Sequence, residues 1–150
     1  MLDSKALLSE AATHAETLVG IRRELHQIPE FALDLPQTQA RILKSIEGIG
    51  EITLGRDLTS IALVIRGGKP GPTVLLRADM DALKVEEETG LDYASTNGYM
   101  HACGHDLHMA GAIGAAHLLA THKEELNGDV LIWFQPGEEG HHGADVIIEE

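Results

Sequence analysis

The stretch IALVIRGGKPGPTVLL, residues 61–76, contains two apolar runs separated by a cluster of chain-breaking residues. The first run, Ile61 to Ile65, is rich in β-branched side chains, and the second extends from Thr73 to Leu76. Apolar runs without polar alternation are typical of strands that are buried on both faces. The glycines and prolines among residues 67–72 predict a turn that joins the two runs into a strand pair.

Helical patterns surround this pair of strands. The spacing of apolar residues predicts one amphipathic helix from about Ser4 to His26, a second over residues 38–47 and a third from near His105 to about Lys123. Residues 51–54 alternate as a strand does, and Val130 to Phe134 has the composition of a buried strand. This order of elements predicts the α/β class, with a mixed, mostly parallel sheet flanked by helices.

The composition limits the classes of partner. The 150 residues include 24 acidic and 11 basic side chains, and the resulting net charge of -13 argues against nucleic acid and membrane partners. The single cysteine, Cys103, cannot form an internal disulfide, and the first residues resemble no targeting signal, so we expect a cytoplasmic protein. The run Glu86 to Glu88 is interpreted as an exposed loop, and Arg22 as a structural residue.

Metal-binding side chains concentrate in the segment MHACGHDLH, residues 100–108. Cys103 and His105 flank one glycine, so a thiolate and an imidazole can converge on one metal ion. Asp106 can hold the ring N–H of such an imidazole. The alternative interpretation is a buried free cysteine among unrelated histidines.

Two further segments place carboxylates where predicted strands end. Glu138 and Glu139 follow one strand, so that one carboxylate can bind a metal ion while its neighbour acts as a base. Asp79 and Asp81 follow another strand and point to the same face if that strand continues. Each segment alone can be a solvated acidic loop or a set of caps for nearby amides. The three segments together favour a metal centre.

Four blocks of the sequence resemble a known family. The blocks are RRELH (residues 22–26) with Pro29-Glu30, LRADMDAL (76–83), MHACGHD (100–106) with His108, and FQPGEE (134–139) with Gly143-Ala144. They resemble metal-dependent amidohydrolases that include hippurate hydrolases, N-acyl-amino-acid deacylases, N-acetyl-diaminopimelate deacetylases and auxin-conjugate hydrolases. The resemblance implies the N-terminal part of a zinc-exopeptidase-like catalytic domain. It also implies hydrolysis of the amide bond of N-acyl amino acids, a carbon–nitrogen bond other than a peptide bond.

The resemblance implies two divalent metal ions, which are Mn, Zn, Ni or Co in this family. By position, Cys103 is the thiolate that bridges both ions, His105 binds one of them, and Glu139 is a carboxylate ligand. Three ligands are too few to close two metal sites. We therefore expect residues 1–150 to form a single partial catalytic domain that lacks the lid or dimerisation domain and the C-terminal catalytic half. Such a chain is expected to be inactive or incomplete by itself and to expose an apolar sheet edge.

The remaining roles are also assigned by position. Glu138 corresponds to the general base that takes a proton from the metal-bound water, the nucleophile of the reaction. Asp81 corresponds to the aspartate that orients a metal ligand. Asp79 stands where peptidase relatives have a ligand histidine and is a weaker candidate, as are His101 and Asp106. For His101, a position at the mouth of the site competes with a loop position in which it satisfies a backbone group.

Three functions remain open from the sequence. The favoured one is hydrolysis of a small-molecule N-acyl amino acid, with a homodimer as the full-length family form and a complementary C-terminal fragment as a further partner. The second is a non-catalytic metal-binding remnant or one half of a split enzyme. The third is a hydrolase with Cys103 as its nucleophile. Reversible loss of activity on chelation favours the first, and chelator-resistant activity that alkylation abolishes favours the third.

Overall fold

A computed structural model describes residues 3–149. The strands are β1 (Glu51–Leu54), β2 (Ile61–Ile65), β3 (Val74–Asp79) and β4 (Val130–Gln135). The helices are α1 (Ser4–Thr13), α2 (Ala15–His26), α3 (Pro36–Ser45), α4 (His105–Thr121) and α5 (Gly143–Glu149), with a 3-10 turn at Lys123–Glu125. None of the helices in the described part of the chain has the length and apolar character needed to cross a bilayer.

The strands form one mixed sheet in the order β1-β2-β4-β3. β2 is antiparallel to both β1 and β4, whereas β3 and β4 are parallel. The α/β class with one sheet flanked by helices is thus confirmed, but among the four strands of the described residues only β3 and β4 pair in parallel, although we expected parallel pairing to dominate. The reason lies in the connections. A short loop joins β1 to β2, whereas a crossover through α4, as parallel pairing requires, joins β3 to β4.

The turn at residues 67–72 does not pair β2 with β3, as we predicted, because β4 lies between them. The chain that leads into β4 crosses this turn. Gly128 N donates to Lys69 O at 2.8 Å, and Lys69 N donates to Leu126 O at 3.2 Å. A Cβ atom on Gly67 would lie 2.0 Å from the carbonyl oxygen of Gly128. The glycines that suggested a hairpin therefore permit a close crossing of two backbones.

This crossing predicts a large cost for one added methyl group. Gly67→Ala is expected to lower the free energy of unfolding by about 1–3 kcal/mol, because the clashing atoms belong to the backbone and cannot rotate away. Gly20→Ala is the control, since nothing lies within 4 Å of a Cβ at that position of α2. It should raise stability by about 0.5–1 kcal/mol through helix propensity. Urea unfolding followed by Trp133 fluorescence measures both, and equal effects would contradict the close crossing.

The helix that we predicted from Ser4 to His26 is interrupted at His14. The Thr13 hydroxyl donates to Glu10 O at 2.7 Å, and His14 N donates to Ala11 O at 3.1 Å. Such three-residue spacings tighten and end a helix. No residue of α1 is buried, whereas α2 buries residues that face α4 and the sheet: Ile21, Leu25 and His26.

An ion pair between His122 and Glu10 connects the end of α4 to α1. His122 Nε2 lies 2.7 Å from Glu10 Oε2, and His122 Nδ1 lies 3.7 Å from Glu125 Oε1. The hydrogen bond to Glu10 raises the pKa of His122 despite the opposing effect of burial, and the charges of both glutamates add to the increase. The folded state therefore favours the charged imidazole.

This raised pKa predicts how the contribution of His122 depends on pH. The contribution should be complete below the ordinary histidine pKa of about 6.5 and should be lost as pH rises through the higher folded value. The melting temperature of the parent chain should therefore exceed that of His122→Gln at pH 6, and the difference should shrink towards pH 9. Thermal unfolding of both proteins across this range is the measurement. A difference that does not change with pH would contradict the ion pair.

The core fills the space between one face of the sheet and helices α2, α3 and α4. Its largest fully buried side chains include Leu25, Ile42, Ile61, Leu63, Met109, Ile113, Ile132 and Phe134. On β3, by contrast, Val74 and Leu75 are 53% and 51% exposed. The apolar sheet edge that we expected is therefore present, and strand edges of this kind tend to pair with further chain segments.

Candidate metal centre

The parallel pairing of β3 and β4 brings two of the predicted site segments together. Asp79, the last residue of β3, is in register with Gln135, the last residue of β4. The carboxyl ends of parallel strands meet at one edge of the sheet, where open α/β sheets bind ligands. The N-terminus of α4 lies at the same edge, since His105 Nδ1 is 2.7 Å from the backbone oxygen of Asp81.

Three of the predicted metal ligands converge in this region. One ligand atom from each of Cys103, His105 and Glu139 lies within 4.8 Å of the other two. Cys103 and His105 flank Gly104, whose φ of +85° is in the left-handed region that favours glycine. A thiolate, an imidazole and a carboxylate suit zinc and similar borderline divalent ions. The donor set therefore fits a divalent metal.

A backbone contact fixes the ring of His105. Its Nδ1–H donates to the carbonyl oxygen of Asp81, so the ring turns Nε2 towards the glutamates. Nε2 lies 3.7 Å from Glu138 Oε2 and 4.0 Å from Glu139 Oε1. Burial opposes the charged form of His105, but the hydrogen bonds to Asp81 outweigh burial and raise the pKa of the ring. Nε2 is the nitrogen available to a metal ion.

Asp81 connects His105 to the glutamate pair. Its Oδ1 accepts from Glu138 N and its Oδ2 accepts from Glu139 N, each at 3.0 Å. Burial alone would raise the pKa of Asp81, but hydrogen bonds from His105 and from the two backbone amides lower it, so the carboxylate is ionised. Asp81 therefore holds the backbone of both glutamates and the ring of one imidazole, which is what orienting a metal ligand requires.

The two adjacent glutamates have different surroundings. The carboxylate of Glu139 belongs to the group with Cys103 and His105, whereas that of Glu138 does not belong to a ligand group within residues 3–149. The Glu138 side chain is 38% exposed and lies beside the group. The Glu138 carboxylate therefore lies next to the ligand group without being part of it.

Carboxylates surround the thiol of Cys103. A hydrogen bond with Glu139, burial, and the charges of Glu139, Glu138 and Asp79 raise the pKa of the thiol. A cysteine nucleophile needs the opposite effect, a lowered pKa that populates the thiolate. A metal cation beside the sulfur would deprotonate it directly. The electrostatics therefore oppose the cysteine-nucleophile alternative.

The prediction that Asp106 holds a metal-binding imidazole is wrong. Asp106 Oδ2 lies 2.8 Å from His26 Nδ1 and 2.6 Å from Arg22 Nε, and the carboxylate is fully buried. Although Asp106 follows His105 in the sequence, consecutive residues of a helix point about 100° apart, so Asp106 faces α2 rather than the metal ligands. The imidazole that it holds is that of His26.

Both interpretations of His101 are also wrong. The residue is only 4% exposed, so it does not line the mouth of the site. Neither ring nitrogen has a hydrogen-bond partner among the described residues, so it does not satisfy a backbone group. Burial lowers its pKa to about 4, although Asp106 opposes this effect, and the ring is therefore neutral.

One buried carboxylate was missed from the sequence. The side chain of Glu87 is buried, and its Oε1 lies 3.1 Å from His26 Nε2, so the exposed-loop interpretation is wrong for this residue. Burial alone would raise its pKa, but hydrogen bonds from Thr89, Ser95 and His26 lower it to about 2. A signal was available, because Arg22 and His26 are four residues apart and share one face of a predicted helix. Two such side chains on one face suit acidic partners, which are Asp106 for Arg22 and Glu87 for His26.

Comparison with known proteins shows which family the chain resembles. Residues 75–150 match the model of the family described as peptidase family M20/M25/M40. The N-acetyl-L-cysteine deacetylase of Bacillus subtilis is 45% identical over 141 residues, which cover 93% of this chain and 34% of the relative. The thermostable carboxypeptidase 1 of Saccharolobus solfataricus is 44% identical over 137 residues, covering 88% of this chain and 35% of the relative.

A solved structure has the same fold. It is a Bacillus subtilis protein described as a dinuclear metal binding peptidase from the M20 family, with a TM-score of 0.86 and 40% sequence identity. The match covers 92% of this chain and 39% of that protein. The chain thus spans about a third of the length of the curated relatives that it matches.

Proposed function

This chain belongs to the peptidase family M20/M25/M40, a family of hydrolases, and we propose that it is the N-terminal part of a metal-dependent amidohydrolase that cleaves the amide bond of N-acyl amino acids. One observation carries the proposal. Cys103, His105 and Glu139 bring ligand atoms within 4.8 Å of one another, and the carboxylate of Glu138 lies next to this group without belonging to it. The acyl substrate class is supported by a relative named as an N-acetyl-L-cysteine deacetylase.

The proposed cofactor is a pair of divalent ions, with Mn, Zn, Ni and Co as the candidates. Cys103, His105 and Glu139 would hold these ions. When bound, the ions supply Lewis acidity at the amide carbonyl and lower the pKa of a nearby water molecule. The mixture of one sulfur, one nitrogen and one oxygen donor suits borderline cations better than Mg²⁺ or Ca²⁺.

The protein residues supply the proton transfer and its geometry. Glu138 accepts the proton of the attacking water and passes it to the leaving amine. Asp81 keeps Glu138 in place through the backbone hydrogen bond of 3.0 Å rather than through its side chain. The carboxylate of Glu138 therefore remains free to take and release a proton while its main chain stays fixed.

The remaining ligands belong to a further part of the enzyme in this proposal. Residues 1–150 form one partial catalytic domain, because three ligands do not complete two metal sites. A complementary C-terminal part supplies the others, and the full-length form is a homodimer in the cytoplasm with a small-molecule substrate and no nucleic acid or membrane partner. The exposed β3 edge supports such a complement, since Val74 and Leu75 offer it apolar surface.

A chimeric enzyme tests the proposed function. Residues 1–150 replace the matching third of the Bacillus subtilis N-acetyl-L-cysteine deacetylase, and the product is assayed with N-acetyl amino acids and an unblocked dipeptide. We expect hydrolysis of N-acetyl amino acids that chelation removes and added divalent metal restores, and no turnover by residues 1–150 alone.

The other outcomes separate the alternatives. A folded chimera that binds metal without turnover would favour a non-catalytic remnant. Cleavage of the dipeptide alone would favour a peptidase, as the carboxypeptidase relative suggests. Robust turnover by residues 1–150 alone would overturn the claim that the chain is incomplete. Chelator-resistant activity would overturn the metal mechanism.

A further inference from the structure

A second group of metal-binding atoms shares His105 with the first. Ligand atoms of Asp79, His105 and His108 all lie within 4.8 Å of one another. We propose that this group is an alternative position for a borderline divalent cation, which shares His105 with the group that contains Cys103. The proposal concerns metal binding by the chain itself and does not rest on the amidohydrolase function.

A buried carboxylate oxygen that accepts no hydrogen bond supports the proposal. The Asp79 side chain is only 7% exposed, and its Oδ1 has no hydrogen-bond partner among the described residues. The other oxygen, Oδ2, accepts from Arg77 Nη2 at 3.1 Å. A buried carboxylate oxygen that accepts no hydrogen bond costs free energy, and a metal cation removes that cost.

Arg77 is the charged group that competes with a cation. Its Nη2 also lies 3.1 Å from Asp79 Oδ1, but without hydrogen-bond geometry, and its side chain is 46% exposed. Water screens a guanidinium that is this exposed, so it compensates the carboxylate only in part. A cation can share the Asp79 carboxylate with Arg77, because its two oxygens offer about four lone-pair sites and Arg77 occupies only one of them with a hydrogen bond.

His108 supplies the second imidazole of the group. It follows His105 by three residues in α4, so both rings lie on one face of the helix, with centroids 5.3 Å apart. His108 Nδ1 lies 3.4 Å from Asp79 Oδ2, and the side chain is 50% exposed. Two imidazoles and one carboxylate form a common set of three protein ligands with an open position. The exposure of His108 gives an ion access from solvent.

The two groups cannot both bind a cation through His105 at the same time. His105 Nδ1 donates to the Asp81 carbonyl, which leaves Nε2 as the single nitrogen of this ring for a cation. An ion that takes Nε2 together with Asp79 and His108 therefore deprives the Cys103 group of its imidazole. The Asp79 group acts as an entry position, or as a competing one when metal is in excess.

Cobalt absorption distinguishes the two positions. In the full 150-residue chain, Cys103→Ser removes the thiolate, so Co²⁺ at the Cys103 group loses its near-ultraviolet sulfur-to-metal charge-transfer band. We expect this variant still to bind one Co²⁺ with visible d–d absorption. His108→Ala in the same background should weaken Co²⁺ binding by at least roughly 10–100-fold. Removal of a ligand's hydrogen-bond partner already costs that much, and His108→Ala removes a ligand.

Two controls make the result decisive. In the Cys103→Ser background, Glu139→Gln should leave Co²⁺ affinity unchanged, because Glu139 is not in the Asp79 group. His117→Ala removes another imidazole from α4, one that instead lies 2.8 Å from Ser45 O, and it should also have no effect. His108→Gln gives a second variant that keeps the side-chain bulk. Loss of all Co²⁺ binding in Cys103→Ser, or an affinity that depends on Glu139 and not on His108, would overturn the proposal.

Discussion

Replacement of Asp106 with alanine is expected to lower the free energy of unfolding by about 3–5 kcal/mol. Asp106 lies in the first turn of α4, is fully buried, and contacts two residues of α2, Arg22 at 2.6 Å and His26 at 2.8 Å. Without the carboxylate, the guanidinium and the ring nitrogen lose their partner away from bulk water. Domains of this size have total stabilities of about 5–15 kcal/mol, so the substitution should remove a large fraction of the stability of the chain.

Urea unfolding measures this loss, and an exposed aspartate serves as the control. Asp145 lies 3.5 Å from His142, with side chains 75% and 81% exposed. Asp145→Ala should change stability by less than about 1 kcal/mol, because exposed ion pairs contribute little. If Asp106→Ala were as mild as Asp145→Ala, the buried cluster could not be what joins α2 to α4.

The second large effect concerns Glu138. In the chimera described above, Glu138→Gln is expected to reduce turnover by about 10²–10⁴-fold, since an amide cannot accept the proton that a general base must take. Metal affinity should remain unchanged, because Glu138 lies outside the ligand group. Glu139→Gln should instead weaken metal binding, and activity should then recover in part when the metal concentration is raised.

The control for this pair is a glutamate outside the site. Glu149→Gln changes an exposed residue at the end of α5 and should affect neither turnover nor metal affinity. Isothermal titration with Zn²⁺ and steady-state kinetics separate the two quantities. A Glu138→Gln enzyme that keeps full turnover, or one whose loss is repaired by added metal, would exclude this residue as the base.

The strands and the candidate metal-binding segments could be predicted from the sequence because local patterns define them. β2 has the predicted bounds, Ile61–Ile65, since a run of β-branched apolar residues is unambiguous. Cys103 and His105 were singled out by their spacing around one glycine, whereas the family resemblance alone assigned the ligand role to Glu139 rather than to Glu138. Gly104 marked the turn that lets the thiol and the ring face the same point.

Contacts between segments that are distant in the sequence could not be predicted from local patterns. The insertion of β4 between β2 and β3 depends on which strands pair, and the glycines that suggested a hairpin suit a backbone crossing equally well. Glu87 looked like part of a solvated acidic run because its partner, His26, is 61 residues away. Asp106 was given the wrong imidazole because the direction of a side chain on a helix depends on its phase, which the helix start alone does not reveal.

The way Asp81 supports the glutamate pair has a consequence for engineering the protein. Its carboxylate accepts hydrogen bonds from the main-chain amides of Glu138 and Glu139 and not from their side chains. Either position can therefore be exchanged for another residue, natural or synthetic, without dismantling the loop that presents it. The conformation of this loop therefore depends on Asp81 rather than on the two glutamate side chains. A library that varies positions 138 and 139 while keeping Asp81 should contain mostly folded proteins.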